Sequence, residues 1–185
     1  MMEKLISRLK SVIGEENIIT TREGVIPYCL GKPVLEKNLK AVLTPTETGQ
    51  LSSILRVLNK ERVKTLVIGG GTFFLRDLIF PKAPTIAIST SKLSKIVEFK
   101  VRSLSVKVQC GVKIGDLNKY LSRYGFNLPI EPFPKSVRTV GGCIAENAYG
   151  FRSLKYGRFG ASVSELKIYL PNGGLLELSR DSATN

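Results

Sequence analysis

Two glycine-rich turns constrain this chain more than any other feature of its sequence. The first is Gly69-Gly70-Gly71-Thr72, directly after the apolar run 66–68, and the second is Gly141-Gly142 within the segment 132–157. Glycine has no Cβ atom, so the chain can turn sharply there and bring several N–H groups close to one ligand. Two such turns indicate one elongated ligand held by main-chain groups. A phosphate-bearing molecule is a suitable ligand, because main-chain N–H groups can bind its phosphate oxygens.

Each turn also has an ordinary structural explanation. The first matches neither the Rossmann fingerprint nor the P-loop pattern, and three glycines at a strand end are most often a simple turn. The second precedes a short helix over about 143–148, whose free N–H groups would seat an anion. Asn147 can hydrogen-bond a ligand or a neighbouring loop, Gly150 fits a helix C-cap, and Tyr156-Gly157 fits a turn. The alternative for this segment is a connector packed against a sheet.

Composition restricts the kinds of protein that the sequence can be. Its 185 residues fit one domain or two small subdomains, and no apolar run approaches the ~18–20 residues of a membrane span. Charges throughout the first seventeen residues predict no signal peptide. The net charge of +13 raises the question of nucleic-acid binding, but the basic residues are spread along the whole chain. A basic surface, or attraction to an anionic cofactor or an acidic protein, is the preferred interpretation.

Histidine and cysteine usage excludes several kinds of site. The chain has no histidine, which removes Ser-His-Asp and Cys-His catalysis and a flavin tethered through histidine. Cys29, Cys110 and Cys143 lie far apart and form no CxxC pair. Three buried thiols in a reducing compartment are therefore expected, with no metal site and a cytoplasmic location.

Hydrophobic periodicity predicts an α+β fold. In the first half it predicts a helix over 3–13, an irregular region over 22–40, and a parallel strand pair 41–44 and 64–68 around a helix capped by Thr46. A further strand is expected over 85–89. The second half is expected to hold strands 95–99 and 104–109, a helix from Ile114 that ends near Gly125, and a hairpin 163–170 with 175–178.

This order predicts two subdomains, about 1–90 and about 91–185, that meet near 89–94. The first would contain a small parallel sheet and the second a larger, mainly antiparallel sheet. A cleft between two subdomains is a usual place for a ligand.

The order and the residues of these motifs closely resemble those of one known family. GGGT after a strand is followed by ISTSKLSKIVEF, VQCGVKIGDLNKYLSRYGFNLP, TVGGCIAENAYGFRSLKYG and VSELKIYLPNGGLLEL. This series is similar to the PCMH-type FAD-binding module of the vanillyl-alcohol oxidase and p-cresol methylhydroxylase flavoproteins, nearest the glycolate oxidase and D-lactate dehydrogenase branch. The resemblance covers essentially the whole chain. It implies non-covalent FAD and a flavin-dependent oxidoreductase.

The resemblance also assigns positions to the cofactor. The first loop would wrap the FAD pyrophosphate through main-chain N–H groups, and the second loop with its helix would approach the pyrophosphate and flavin from the other side. Residues 150–157 would line the same side of the cofactor site as the second loop. One strand residue would contact the adenine through its backbone. The implied cofactor-binding residues are Gly69, Gly70, Gly71, Thr72, Phe73, Pro132, Thr139, Gly141, Gly142, Ala145, Asn147, Gly150, Ser153, Tyr156, Gly157 and Val163.

Several positions depart from the family pattern. Ile68 stands where the family usually has arginine, and bulky residues, Phe73 and Phe74, follow Thr72 where small ones are usual. Cys143 stands where asparagine is common, and a small packed residue is expected there rather than a reactive thiol. The chain stops at Asn185, before the substrate-binding domain of the family, so no catalytic residue is assigned.

Two functions remain open from the sequence. The first is the FAD-binding component of a dehydrogenase or oxidase for a 2-hydroxy acid such as glycolate or D-lactate, with the substrate domain on a second protein chain or missing. The second is a non-catalytic, degenerate FAD-fold module that acts as a partner-binding scaffold, since the altered loop could prevent FAD binding. Nucleic-acid binding is the least favoured alternative.

Overall fold

The computed structural model of the chain describes residues 2–29, 33–72 and 83–180, and its contacts group into two units. The first unit holds the residues up to 68 with 83–92 and 165–180, and the second holds 69–72 with 93–164. These are groups of contacts within one chain, and the predicted domains of about 1–90 and 91–185 stay a prediction.

The first unit is built on a four-stranded mixed sheet. The strands are β1 (Ile18–Ile19), β2 (Leu39–Leu43), β3 (Lys64–Ile68) and β4 (Thr85–Ser89). Their order is β1-β2-β4-β3, with β4 parallel to both β2 and β3 and β1 antiparallel to β2. The predicted strands are therefore present, but β2 and β3 do not pair with each other as expected. All five residues of β4 are buried, and an apolar run covered on both faces belongs at the centre of a sheet.

Helices cover this sheet and supply its core. Leu5, Leu9 and Ile13 lie on the buried face of the first helix, and they pack with Ile54 and Leu58 of the fourth helix in one apolar cluster. Among the described residues of this unit, the helices are α1 (Met2–Ile13), α2 (Arg22–Val25), α3 (Pro33–Asn38) and α4 (Gly49–Lys60). Two short 3-10 turns, Glu15–Asn17 and Ile26–Cys29, complete the connections.

Two details of this region differ from expectation. The stretch 22–40 is not irregular throughout, because Thr21 accepts a hydrogen bond from the Gly24 N–H and starts α2. Thr46 is not the cap of α4. Its N–H donates to the Gln50 side chain at 2.9 Å, so it lies before the helix, and the flanking residue is Thr48.

The second unit has its own apolar core. Val112, Ile114, Leu117, Ile130 and Phe159 are among the buried residues of one apolar cluster. The elements are β5 (Ile96–Lys100), β6 (Ser105–Val108), α5 (Ile114–Ser122), α6 (Val140–Ala145), α7 (Ser153–Tyr156) and a 3-10 turn, Phe159–Ser162. The antiparallel β5–β6 pair and α5 confirm the prediction for this part of the chain.

The last elements form a hairpin of β7 (Glu165–Tyr169) and β8 (Leu175–Ser179). Gly173 in its turn has φ 80, a left-handed conformation that glycine adopts without strain. Helices, a mixed sheet and antiparallel pairs confirm the α+β class. Within the described residues, the strands that follow β4 form two separate antiparallel pairs, β5 with β6 and β7 with β8, rather than the one larger sheet that was expected. The sequence could not show this, because hairpin signals specify only the pairing of neighbours along the chain.

The described part of the chain has no helix that is both long and apolar enough to cross a membrane. It also has no group of three or more cysteine and acidic side chains placed to hold a metal ion.

Candidate functional site

The first glycine turn leaves β3 and forms a loop whose main-chain N–H donors have no acceptor in the part of the chain that the structure describes. Gly71 has φ 65, in the left-handed region that favours glycine. Among the described residues, none accepts a hydrogen bond from the N–H groups of Gly69, Gly70 or Gly71. Successive N–H groups beside a left-handed residue can form a concavity that binds an anion. The loop therefore has the donors that a phosphate group requires.

The backbone of 137–139 lies directly beneath this loop. A Cβ atom on Gly69 would stand 2.6 Å from the Thr139 Oγ1 atom, and one on Gly70 would overlap the Val137 carbonyl group. Real Cβ atoms do not approach other heavy atoms so closely. Gly69 and Gly70 are therefore glycines because another segment packs against them, a reason different from the backbone angle that favours glycine at Gly71.

The start of α6 does not offer the free donors that the sequence predicts. The Val140 N–H donates to the Val112 carbonyl at 2.8 Å, and the Gly141 N–H donates to the Cys110 carbonyl at 2.7 Å. Thr139 caps the helix by accepting a hydrogen bond from the Gly142 N–H at 3.3 Å. The prediction of free N–H groups here is wrong, because these groups are used to fasten α6 to neighbouring main chain. Whether Gly141 and Gly142 contact a ligand stays a prediction.

A buried ion pair connects the segment under the glycine loop to the residue that ends α6. The Arg138 guanidinium group pairs with the Glu146 carboxylate, and their side chains are only 17% and 9% exposed. The Arg138 Nε atom also donates to the Phe133 carbonyl at 2.8 Å. A carboxylate buried this far needs a cation, and Arg138 supplies it.

Cys143 lies in the core of the second unit and is 1% exposed. Burial raises the pKa of its thiol to about 11, although the nearby Arg138 charge acts in the opposite direction. The expectation of a small packed residue rather than a reactive thiol is confirmed. Cys29 is buried as expected, whereas Cys110 is only half-buried, because it lies in the turn that faces Gly141.

The segment after α6 is held by its own polar side chains. Asn147 has φ 47 and its Oδ1 atom accepts a hydrogen bond from the Gly160 N–H at 3.0 Å. The predicted C-cap at Gly150 is wrong, because the helix ends at Ala145 and Asn147 adopts the left-handed conformation. Gly150 is instead a close-packing position, where a Cβ atom would stand 2.5 Å from the Glu131 carbonyl oxygen.

The remaining predicted positions form a second group within the same unit. Ser153 accepts a hydrogen bond from the Gly150 N–H at 2.8 Å and starts α7, and Gly157 ends α7 with φ 79 as expected. The Lys155 ammonium group lies 5.0 Å from the centre of the Tyr156 ring.

The other predicted positions lie on different segments. Pro132 is buried, Ala145 is exposed, and Val163 follows the 3-10 turn. Phe73, with the bulky residues after it, lies outside the described residues.

The structure thus brings together Gly69, Gly70, Thr139 and Gly142, and it places Gly150, Ser153, Tyr156 and Gly157 in one short turn-and-helix segment. Sequence reasoning missed Val137, Arg138 and Glu146, which support the loop from below. No local signal marks Val137 or Glu146. The signal for Arg138 was its position next to Thr139 in the second motif.

Comparison with known proteins identifies the kind of domain. The FAD binding domain family matches residues 39–179, which is more than half of the chain. Mitochondrial D-lactate dehydrogenase (cytochrome) of Arabidopsis thaliana is 29% identical over 180 residues, which cover 95% of this chain and 31% of that protein. Glycolate oxidase subunit GlcD of Bacillus subtilis (strain 168) is 29% identical over 184 residues, which cover 95% of this chain and 38% of that protein. The chain spans about a third of the length of these curated relatives.

Solved structures show the same fold. Alkyldihydroxyacetonephosphate synthase has a TM-score of 0.84 at 21% identity, over 95% of this chain and 35% of that chain. p-Cresol methylhydroxylase with substrate bound has a TM-score of 0.78 at 19% identity, again over 95% of this chain and 35% of that chain. These likenesses confirm the predicted PCMH-type fold and the resemblance to the flavoprotein family.

Proposed function

We propose that this chain, which belongs to the FAD binding domain family, holds FAD non-covalently as the flavin-binding component of an oxidoreductase. The observation that carries this proposal is the glycine loop. Three successive N–H groups, of Gly69, Gly70 and Gly71, have no acceptor among the described residues. A pyrophosphate would satisfy such donors, and the loop therefore fits the phosphate-bearing part of FAD.

The role of each part of the loop follows from its packing. Gly69 and Gly70 let the loop lie directly on the segment 137–139, and Gly71 adopts the left-handed angle that turns the chain there. The Thr139 hydroxyl is already engaged by the Gly142 N–H, so its part is to hold α6 and the loop together. The segment with Ser153, Tyr156 and Gly157 is proposed as the second wall of the cofactor site.

Two features support non-covalent attachment. The chain has no histidine, so a histidine–flavin bond cannot form. Cys143 is buried and its pKa is raised to about 11, so its thiolate form is scarce near neutral pH and it is a poor nucleophile.

The substrate proposed for the assembled enzyme is a 2-hydroxy acid such as D-lactate or glycolate. Two relatives are named for these compounds, a D-lactate dehydrogenase and a glycolate oxidase subunit. When bound, FAD supplies the chemistry, since its N5 atom can accept a hydride from the substrate carbon. The chain spans about a third of the length of these relatives. A substrate domain on a second protein chain is part of this proposal. No residue of this chain is assigned to the chemical step.

A cytoplasmic location is part of the same proposal. Cys29 and Cys143 are buried thiols outside any disulfide bond, which suits a reducing compartment.

The test is a titration of the purified chain with FAD, followed by addition of D-lactate or glycolate with an artificial electron acceptor. Uptake of FAD with little or no turnover is expected. Rapid turnover by the chain alone would contradict the need for a second chain. Failure to take up FAD would instead favour the partner-binding scaffold.

A further inference from the structure

The glycine loop lies on the segment 137–139, which is held by main-chain hydrogen bonds and by the charged side chain of Arg138. The Val137 carbonyl group and the Thr139 hydroxyl are the atoms that a Cβ atom on Gly70 or Gly69 would strike. Arg138 stands between these two residues in the chain. Any movement of the Arg138 backbone would therefore move both contact atoms and change the shape of the loop above them.

Main-chain hydrogen bonds hold the chain on both sides of Arg138. The Ile114 N–H donates to the Arg138 carbonyl at 2.9 Å, and the Val140 N–H donates to the Val112 carbonyl at 2.8 Å, which fixes the chain after Arg138. Before it, the Gly115 N–H donates to the Lys135 carbonyl at 2.8 Å, whereas the turn 133–137 itself is closed by longer contacts, in which the Val137 and Arg138 N–H groups donate to the Pro134 carbonyl at 3.3 and 3.2 Å.

The Arg138 side chain adds a further restraint at both ends of that turn. Its Nε atom donates to the Phe133 carbonyl, and its guanidinium group pairs with Glu146, just beyond α6. The two groups are mostly buried, so water screens their attraction little. The guanidinium fork has a fixed planar geometry that can serve both partners at once, which a lysine cannot reproduce.

We propose that Arg138 is a positioning residue for the FAD pyrophosphate. Held between Phe133 and Glu146, it fixes the turn beneath the glycine loop and keeps the N–H groups of Gly69, Gly70 and Gly71 arranged for the phosphates. It acts through the backbone of 137–139 and does not itself contact the cofactor. This inference rests on the proposed function, because it assumes that the loop holds FAD.

The proposal predicts how variants at Arg138 and Glu146 bind FAD and ADP, both of which contain a pyrophosphate. Arg138→Gln removes the guanidinium group and leaves the Glu146 carboxylate buried without a cation, so both affinities fall about tenfold or more. Arg138→Lys restores little, since it keeps the charge but loses the fork. Glu146→Gln weakens binding similarly, and the double variant costs no more than the worse single one because the pair acts as a unit.

Arg8→Gln is the matched control. Arg8 also pairs with a glutamate, Glu61, but its side chain is 48% exposed and it lies in the other unit. This variant should bind FAD and ADP as the parent does. An Arg138→Gln affinity within about twofold of the parent would overturn the proposal, since a tenfold loss is about 1.4 kcal/mol and easily measured.

Two further readouts separate positioning from other roles. If a residue contacts the phosphate directly, its removal changes how strongly the FAD affinity depends on salt concentration. The proposal requires the parent and Arg138→Gln to share that dependence, and a weaker dependence in the variant would contradict it.

The second readout needs no cofactor. In the chain labelled with nitrogen-15 glycine, the amide resonances of Gly69 to Gly71 should move in Arg138→Gln and stay in place in Arg8→Gln. Unmoved resonances would overturn the positioning role even if the parent fails to bind FAD. That failure would instead count against the proposed function, so the two outcomes are distinguishable.

Discussion

Glycines in this chain are required for two distinct physical reasons. Gly71, Gly157 and Gly173 adopt left-handed backbone angles, which cost a residue with a side chain about 1 kcal/mol or more. Gly70 and Gly150 instead allow the close approach of another backbone, and a methyl group there would meet a carbonyl group. A substitution at the second kind of position displaces a whole segment, so its effect reaches further than one residue.

The buried thiol of Cys143 makes a pH-dependent contribution to stability. Because burial raises its pKa from 9.0 to about 11, the folded state favours the protonated thiol. The contribution is complete below pH 9 and is lost as the pH rises through about 11. Between those values, the free energy of unfolding of the parent should fall by about 2 kcal/mol more than that of Cys143→Ser, measured by urea denaturation. Equal slopes for the two proteins would contradict the assignment.

Thr139 should contribute to stability as the cap of α6. Thr139→Val removes the hydroxyl that accepts the Gly142 N–H, and the free energy of unfolding should fall by about 1 kcal/mol. Thr139→Ser keeps the hydroxyl and should lose much less. Urea denaturation of the two variants provides the comparison, and equal losses would show that the cap hydrogen bond contributes nothing.

At the residue scale, the sequence predicts which positions are glycine-dependent but not what they contact. The glycines of the first loop stand out beside a strand end, and Tyr156-Gly157 is recognisable as a turn. The contact between Gly70 and Val137 joins residues far apart in sequence, and no local pattern encodes such a contact. The same applies to the Arg138–Glu146 pair, because charged residues are usually on the surface.

Among the elements, the parallel sheet of the first unit depends on the helices that cover it. Leu9 of α1 is completely buried beside Ile54 of α4 and Ile88 of β4, all in one apolar cluster. Burial of this face, rather than helix propensity alone, holds an amphipathic helix of this length in place.

Leu9→Ala should therefore leave a cavity between α1 and the sheet. The expected loss in the free energy of unfolding is about 2–5 kcal/mol, typical of truncating a fully buried leucine. Lys4→Ala on the exposed side of the same helix is the control and should change stability by less than about 0.5 kcal/mol. A small loss for Leu9→Ala would mean that α1 is not part of the core.

The existence of the strands and the pairing of strands that are neighbours in the chain were predictable here, whereas the strand order of the first sheet was not. Apolar runs such as 64–68 and 85–89 identify the strands, and alternation identifies the hairpins. The strand order requires knowing that β4 is buried on both faces and so separates β2 from β3. Which N–H groups have acceptors at the two glycine turns likewise depends on tertiary neighbours. The sequence therefore could not show that the first N–H groups of α6 donate to the Val112 and Cys110 carbonyls, whereas those of Gly69 to Gly71 have no acceptor among the described residues.

For the whole molecule, the proposed function rests on membership of a family and on a local arrangement of hydrogen-bond donors. The FAD binding domain family covers residues 39–179, and the chain spans about a third of its curated relatives. The glycine loop and the segment beneath it belong to one unit, so cofactor binding by that unit can be tested directly.

The most direct measurement is FAD retention after gel filtration, read from the flavin absorption bands of three proteins. The parent and Gly49→Ala, where a Cβ atom would meet nothing within 4 Å, should both retain flavin. Gly70→Ala should elute colourless although folded by circular dichroism, because its methyl group displaces the loop from the Val137 carbonyl. Flavin retained equally by Gly70→Ala, or absent from the parent, would contradict the proposal that this loop holds the FAD pyrophosphate.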